Sequence, residues 1–189
     1  LDDVTSDLEP RTIVGIMGGH AVARGDTTYR AAAELGASLT AAGRSLLSGG
    51  GPHRNLPAHH HAYPTRRPAD LDEALTIMKP TPSYRPSIDA WAQCAFRVRA
   101  RWPIANAGRS LSIPTWFYGH EPTNVFATEI AKYFSNALRE NTLLNRCRGG
   151  VVCFPGQAGT VREIFQAATE KFYAADAARR APPRLVCRQ

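Results

Sequence analysis

In this chain of 189 residues, the stretch whose residue types and spacing could do chemistry is Pro155-Gly156-Gln157-Ala158-Gly159-Thr160-Val161-Arg162-Glu163. It lies between a continuous apolar run, Gly150 to Phe154, and apolar residues at helical spacing, Val161, Ile164, Phe165, Ala168 and Phe172. Glycines let a backbone approach a ligand, and the first amides of a helix point outward at the positive end of its dipole. Gly156, Gln157, Gly159 and Thr160 therefore read as a cradle for an anion such as phosphate, with Glu163 as a carboxylate just behind it. The spacing Thr160-x-x-Glu163 is equally that of a capping box, whose side chains only satisfy the orphan amides of a helix start. Both readings stay open at this point.

Further glycine clusters close other apolar runs. Gly18-Gly19 follows Thr12 to Met17 (TIVGIM), and Gly49-Gly50-Gly51 follows Ser45 to Ser48 (SLLS). His120 and Glu121 would stand at another strand end, with a polar loop before Pro122 as the simpler reading. Nothing in the spacing of Arg85 and Asp89 demands a place at the site. Consecutive histidines, His59-His60-His61, do not converge on one ion in a helix or a strand, so no metal centre is expected. Lys79, Lys132 and Lys171 lack the context of a pyridoxal-phosphate lysine. Cys94, Cys147, Cys153 and Cys187 form no C-x-x-C pair and read as reduced core residues.

The elements that must position these residues alternate in type. Strands are expected at Thr12 to Met17, Ser45 to Ser48, Leu111 to Phe117, Gly150 to Phe154 and Leu185 to Cys187. Pro114 suggests an edge position or a bulge within the third of these. Helices are expected from Thr27 to Ala42, stopped by Gly43, and at Leu71 to Met78 and Ser87 to Arg101. A long helix capped by Thr123 and running to Glu140 is predicted from Phe126, Ile130, Phe134, Ala137 and Leu138 on one face, with Arg139 near its end. An arginine there reads most simply as a solvated cation interacting with the last carbonyls. The helix after Gly159 completes the set, and Pro52 to Pro68 reads as loop. Strands apolar on both faces alternating with helices imply the α/β class, a Rossmann-like doubly wound parallel sheet with helices on both faces. Ligands bind such sheets beyond the carboxyl ends of the strands, where these glycine loops fall.

Composition narrows the possibilities. Hydrophobic residues make up 43% and charged residues 21%, as in ordinary globular proteins, and no apolar stretch approaches the roughly 20 residues of a membrane span. A net charge of +7 invites anionic partners, but the positive side is 20 Arg and 3 Lys scattered along the chain, so a nucleic-acid surface is not expected. Asp2, Asp3, Asp7 and Glu9 near the start are unlike a secretory signal, so a cytoplasmic protein is expected. The length fits a single domain over residues 1–189, with 1–11 a flexible segment.

The G-T-x-x-E ending of Pro155 to Glu163, together with Gly49-Gly50-Gly51-Pro52 after the second strand, resembles the Lonely Guy (LOG) family, often misnamed lysine decarboxylases, from about Ile13 to Tyr173. The resemblance implies a phosphoribohydrolase that cleaves the N-glycosidic bond of a nucleoside 5'-monophosphate to free base and ribose 5-phosphate, acting as a homodimer without a cofactor. It implies that Gly156, Gln157, Gly159 and Thr160 hold the phosphate and that Gly18, Gly19, Gly49, Gly50 and Gly51 line the substrate site. Glu163 would work at the ribose, and Arg139, with the alignment shifted by one residue, would match the arginine of the family's R-K pair, whose lysine is Glu140 here. Two departures stand out: Gln157 replaces the second glycine of P-G-G, and His53-Arg54-Asn55-Leu56-Pro57 replaces the family's next segment, so nothing is carried over between His53 and Arg67. They favour the alternative of a non-catalytic module that carries a nucleotide or a pterin-like cofactor.

Overall fold

The computed structural model describes residues 13–18, 26–49, 68–103, 108–116, 122–173 and 184–185. Ile13–Met17 (β1), Ser45–Ser48 (β2), Ser110–Ser112 (β3), Glu129–Ile130 (β4), Gly150–Cys153 (β5) and Arg184–Leu185 (β6) form a six-stranded sheet in the order β4-β3-β2-β1-β5-β6. Its strand pairings are parallel throughout. Helices lie at Thr27–Ala41 (α1), Pro68–Met78 (α2), Ile88–Arg101 (α3), Asn136–Arg146 (α4) and Ala158–Phe172 (α5).

The period-2 alternation of β1 divides its side chains between two cores. Val14, with Val152 of β5 and Phe154, packs on Ala31, Ala32, Leu35 and Leu39 of α1. Ile13 and Met17, with Leu47, Leu111, Val151 and Cys153, pack on Leu143 and Leu144 of α4 and Ala167 of α5. Both faces of the sheet are therefore covered, which is why its strands read as continuous apolar runs. A third cluster joins Ala74 of α2 to Ala95, Val98 and Trp102 around α3, with Phe126 inserted from the later chain. Gly43, at φ 65°, ends α1 in the left-handed region that glycine enters without strain. Ser87 caps α3 by accepting from the Ala90 N–H at 3.2 Å. Cys94, Cys147 and Cys153 are buried and not joined in disulfides; Cys187 lies outside the described residues.

The long helix expected from Thr123 to Glu140 does not form. The Asn124 side chain accepts from the Phe126 N–H at 2.9 Å, which favours a local turn over a helix start. Thr128 then clamps β4 to β3: its N–H and hydroxyl both donate to the Ser110 carbonyl at 2.9 Å. Arg109 adds two contacts from Nε and Nη2 to one Glu129 oxygen, at 2.9 and 2.6 Å. A strand therefore occupies the middle of the expected helix, and Thr115 bridges to Tyr133 beyond it. The helix starts only at Asn136, where Ser135 caps it by accepting from the Leu138 N–H. The apolar residues of the expected stripe are dispersed: Phe126 is buried, whereas Phe134 is 83% and Leu138 61% exposed. Within α5, Ala167 is buried and Ile164 packs on the core, but Val161, Phe165 and Phe172 face outward.

Candidate functional site

β1 pairs with β2 on one side and with β5 on the other, so the strand order reverses there and opens the crevice where doubly wound sheets take ligands. Gly18 follows β1, Gly49 follows β2, and Pro155 to Gln157 connect β5 to α5, all at the carboxyl edge of the sheet. A Cβ built on Gly18 would stand 3.0 Å from the Phe154 Cβ, so the two strand ends run close together. Gly19, Gly50 and Gly51, with His120 and Glu121, lie outside the described residues, as does the segment from His53 to Arg67.

α5 begins one residue after Gln157, which occupies the N-cap position without a capping side-chain hydrogen bond. The capping-box reading therefore fails: Thr160 stands inside the first turn, not at the cap, and is buried at 7% exposure. Gln157 sits at φ −96°, ψ −166°, extended backbone that any residue adopts, so replacing a glycine there strains nothing. The earliest N–H groups of α5 have no intrahelical acceptor, and among the described residues no atom outside the local helix backbone comes within 4 Å of where a Cβ on Gly159 would be. A backbone of this kind attracts an anion.

Arg139 belongs to the first turn of α4, near its start rather than the end of a helix, and is only 7% exposed. The reading of a solvated helix-end arginine is thereby overturned. Nε donates to Asn136 Oδ1 at 2.9 Å, Nη1 approaches the Ile113 carbonyl at 3.5 Å, and Nη2 approaches Glu140 Oε1 at 3.5 Å. A Cβ on Gly49 would lie 2.9 Å from Nη1, so the guanidinium rests against the end of β2 and needs a residue without a side chain there. Glu163, one turn beyond Thr160, has its carboxyl pushed up to about 6, first by burial and with help from Glu140, while Arg139 and Arg162 pull it down. Arg139 and Glu163, on different helices, thus share one electrostatic environment at the edge of the sheet.

Glu140, Asn136 and Arg162 were not singled out as site residues from the sequence, yet they surround Arg139 and Glu163. Glu140 is 4% exposed, and its Oε1 accepts from Asn136 Nδ2 at 2.8 Å. Arg162 Nη2 lies 3.1 Å from Oε2 as an ion pair without hydrogen-bond alignment. The only signal in the sequence was the opposite charge of residues flanking Arg139 and Glu163. Arg85 lies over the Tyr84 ring, and Asp89 is in the first turn of α3. Among the described residues no group of His, Cys, Asp and Glu is arranged to hold a metal ion.

No family model and no curated protein matches the sequence. Among solved structures, the chain is similar to the molybdenum cofactor binding protein from the phototrophic bacterium Rippkaea orientalis, with a TM-score of 0.51 and 16% identity over 84% of this chain and 71% of that one. It is also matched to TM1055, a structural genomics target, with a TM-score of 0.49 and 16% identity over 85% of this chain and 70% of that one. At such identity the likeness to the first is one of fold, the doubly wound α/β class.

Proposed function

We propose that the protein is a LOG-like phosphoribohydrolase that cleaves the N-glycosidic bond of a nucleoside 5'-monophosphate, releasing the free base and ribose 5-phosphate. The observation that carries this reading is that Arg139 and Glu163 act on one another at the carboxyl edge of the sheet, with the Glu163 carboxyl pushed up to about 6, chiefly by burial. The 5'-phosphate is received by the amides from Gly156 to Thr160 at the start of α5, where the helix dipole favours it. Gly18 and Gly49, packed against Phe154 and Arg139, end β1 and β2 where the nucleoside would lie, and Gly19, Gly50 and Gly51 are the next residues in the sequence. As the glycosidic bond lengthens, positive charge builds on the ribose, and the Glu163 carboxylate stabilises that charge or orients the attacking water. Arg139 offers its remaining donors to phosphate or base, a role suited to a planar cation with several N–H groups. This chemistry calls for no cofactor.

Purified protein incubated with a panel of nucleoside 5'-monophosphates, with released base resolved by chromatography, tests the reading. Base release by the parent and a loss of about a hundredfold or more in Glu163→Ala is the expected result. Tight nucleotide binding with no release in the parent would instead support a carrier of a nucleotide or pterin-like cofactor. That second reading is favoured by Gln157, whose exposed side chain stands at the mouth of the phosphate loop. We further propose that the chain is one domain acting as a homodimer in the cytoplasm, with the outward apolar residues of α4 and α5 as the contact.

A further inference from the structure

Arg139 carries its charge in the first turn of α4, where the helix dipole disfavours a cation, and something must hold it there. The holder is Glu140, whose side chain is 5% exposed and whose carboxylate would be costly to bury alone. One oxygen takes Asn136 at 2.8 Å and Arg139 at 3.5 Å, and the other faces Arg162 of α5 at 3.1 Å. Asn136 closes the ring by accepting Arg139 Nε at 2.9 Å. Of the five N–H donors of a guanidinium, Nε and one each on Nη1 and Nη2 are thereby directed at protein, which leaves two for a ligand.

We propose that Glu140 is the positioning residue of the site: by joining Arg139 on α4 to Arg162 on α5, it aims the Arg139 guanidinium past Gly49 and fixes the two helices that carry Arg139 and Glu163. This rests on the reading of the site as one for a nucleoside 5'-monophosphate. The carboxylate itself acts only through the residues it holds.

The sign of the effect separates positioning from charge alone. Glu140→Gln makes the site more positive, so a purely electrostatic role predicts tighter binding of ribose 5-phosphate, whereas loss of positioning predicts weaker binding. Calorimetry with ribose 5-phosphate is expected to show binding weakened about tenfold, with Glu140→Asp intermediate. Titration of the Glu163 side chain by carbon NMR is expected to move to lower pH in Glu140→Gln and to higher pH in Arg162→Met, because the former removes an anion and the latter a cation. A role confined to general stability would not split the two variants in this way. Unchanged or tighter binding in Glu140→Gln, or titration midpoints equal to the parent's, would overturn the proposal. If Glu140→Gln does not fold, Glu140→Asp carries the test, because it keeps the charge and only shortens the reach to Arg139 and Arg162: weakened ribose 5-phosphate binding supports positioning, and parent-like affinity overturns it. Neither readout needs turnover: a parent that releases no base defeats the hydrolase reading, while the binding and titration data still decide the role of Glu140.

Discussion

At the scale of the residue, the raised carboxyl of Glu163 would tie the proposed hydrolysis and the stability of the fold to the same titration. Hydrolysis assisted by its carboxylate should lose rate as pH falls through about 6, and a pH profile of base release checks this. Stability runs the other way. A carboxyl raised in the folded state from 4.5 to about 6 binds its proton more tightly there than in the unfolded chain. The cost of ionising it is absent below 4.5, grows up to about 6 and is complete above that, where it amounts to roughly 2 kcal/mol. Glu163→Gln should therefore match the parent's stability near pH 4 and exceed it by up to about 2 kcal/mol at pH 7, as read from denaturant titrations at both values. A site residue whose removal stabilises the protein is expected where burial opposes an ionised group.

At the scale of the element, the start of α4 and the end of β2 meet through Arg139 and Gly49. Gly49→Ala would bring a Cβ within 2.9 Å of Nη1, the far end of a flexible side chain, so the guanidinium should yield and the fold should not. The expected result is a melting temperature near the parent's and nucleotide affinity lowered about tenfold, compared by calorimetry. Gly15→Ala differs, because its Cβ would fall 2.5 Å from the buried Cys147 Sγ between β1 and the end of α4. That overlap should destabilise by about 1–3 kcal/mol in denaturant titration. The two glycines look alike in the sequence. What distinguishes them is which atom stands opposite: a mobile guanidinium in one case, a packed thiol in the other.

At the scale of the molecule, the outward apolar residues are the unfinished part of the surface. Phe134 at 83%, Leu138 at 61%, Phe165 at 68% and Phe172 at 79% are exposed on and just before α4 and along α5. Scattered apolar residues are normal on a surface, but large apolar side chains along α5 and at the start of the adjoining α4 suit contact with a second copy. Phe165→Glu is expected to turn a dimer into a monomer in light scattering across a concentration series; a parent that is monomeric throughout would remove the proposed dimer. Among the described residues, no helix is long and apolar enough to cross a membrane.

The class of fold was legible in the sequence because buried parallel strands must be apolar on both faces, and Ile13–Met17 and Gly150–Cys153 are such runs beside glycine turns. The turn between β5 and α5 was legible for a similar local reason, since glycines between an apolar run and a helical pattern mark such a turn. The residues from 123 to 140 were misread because helical spacing of apolar side chains says nothing of what they will meet. Asn124, Thr128 and Glu129 formed their hydrogen bonds nearby or across to β3 instead, and those partners exist only once the sheet is assembled. The same holds for the charge array. Glu163 stood out by motif and Arg139 only through the family resemblance, whereas Glu140 and Arg162 met through the packing of α4 beside α5, where a carboxylate removed from water takes one of its partners from another helix.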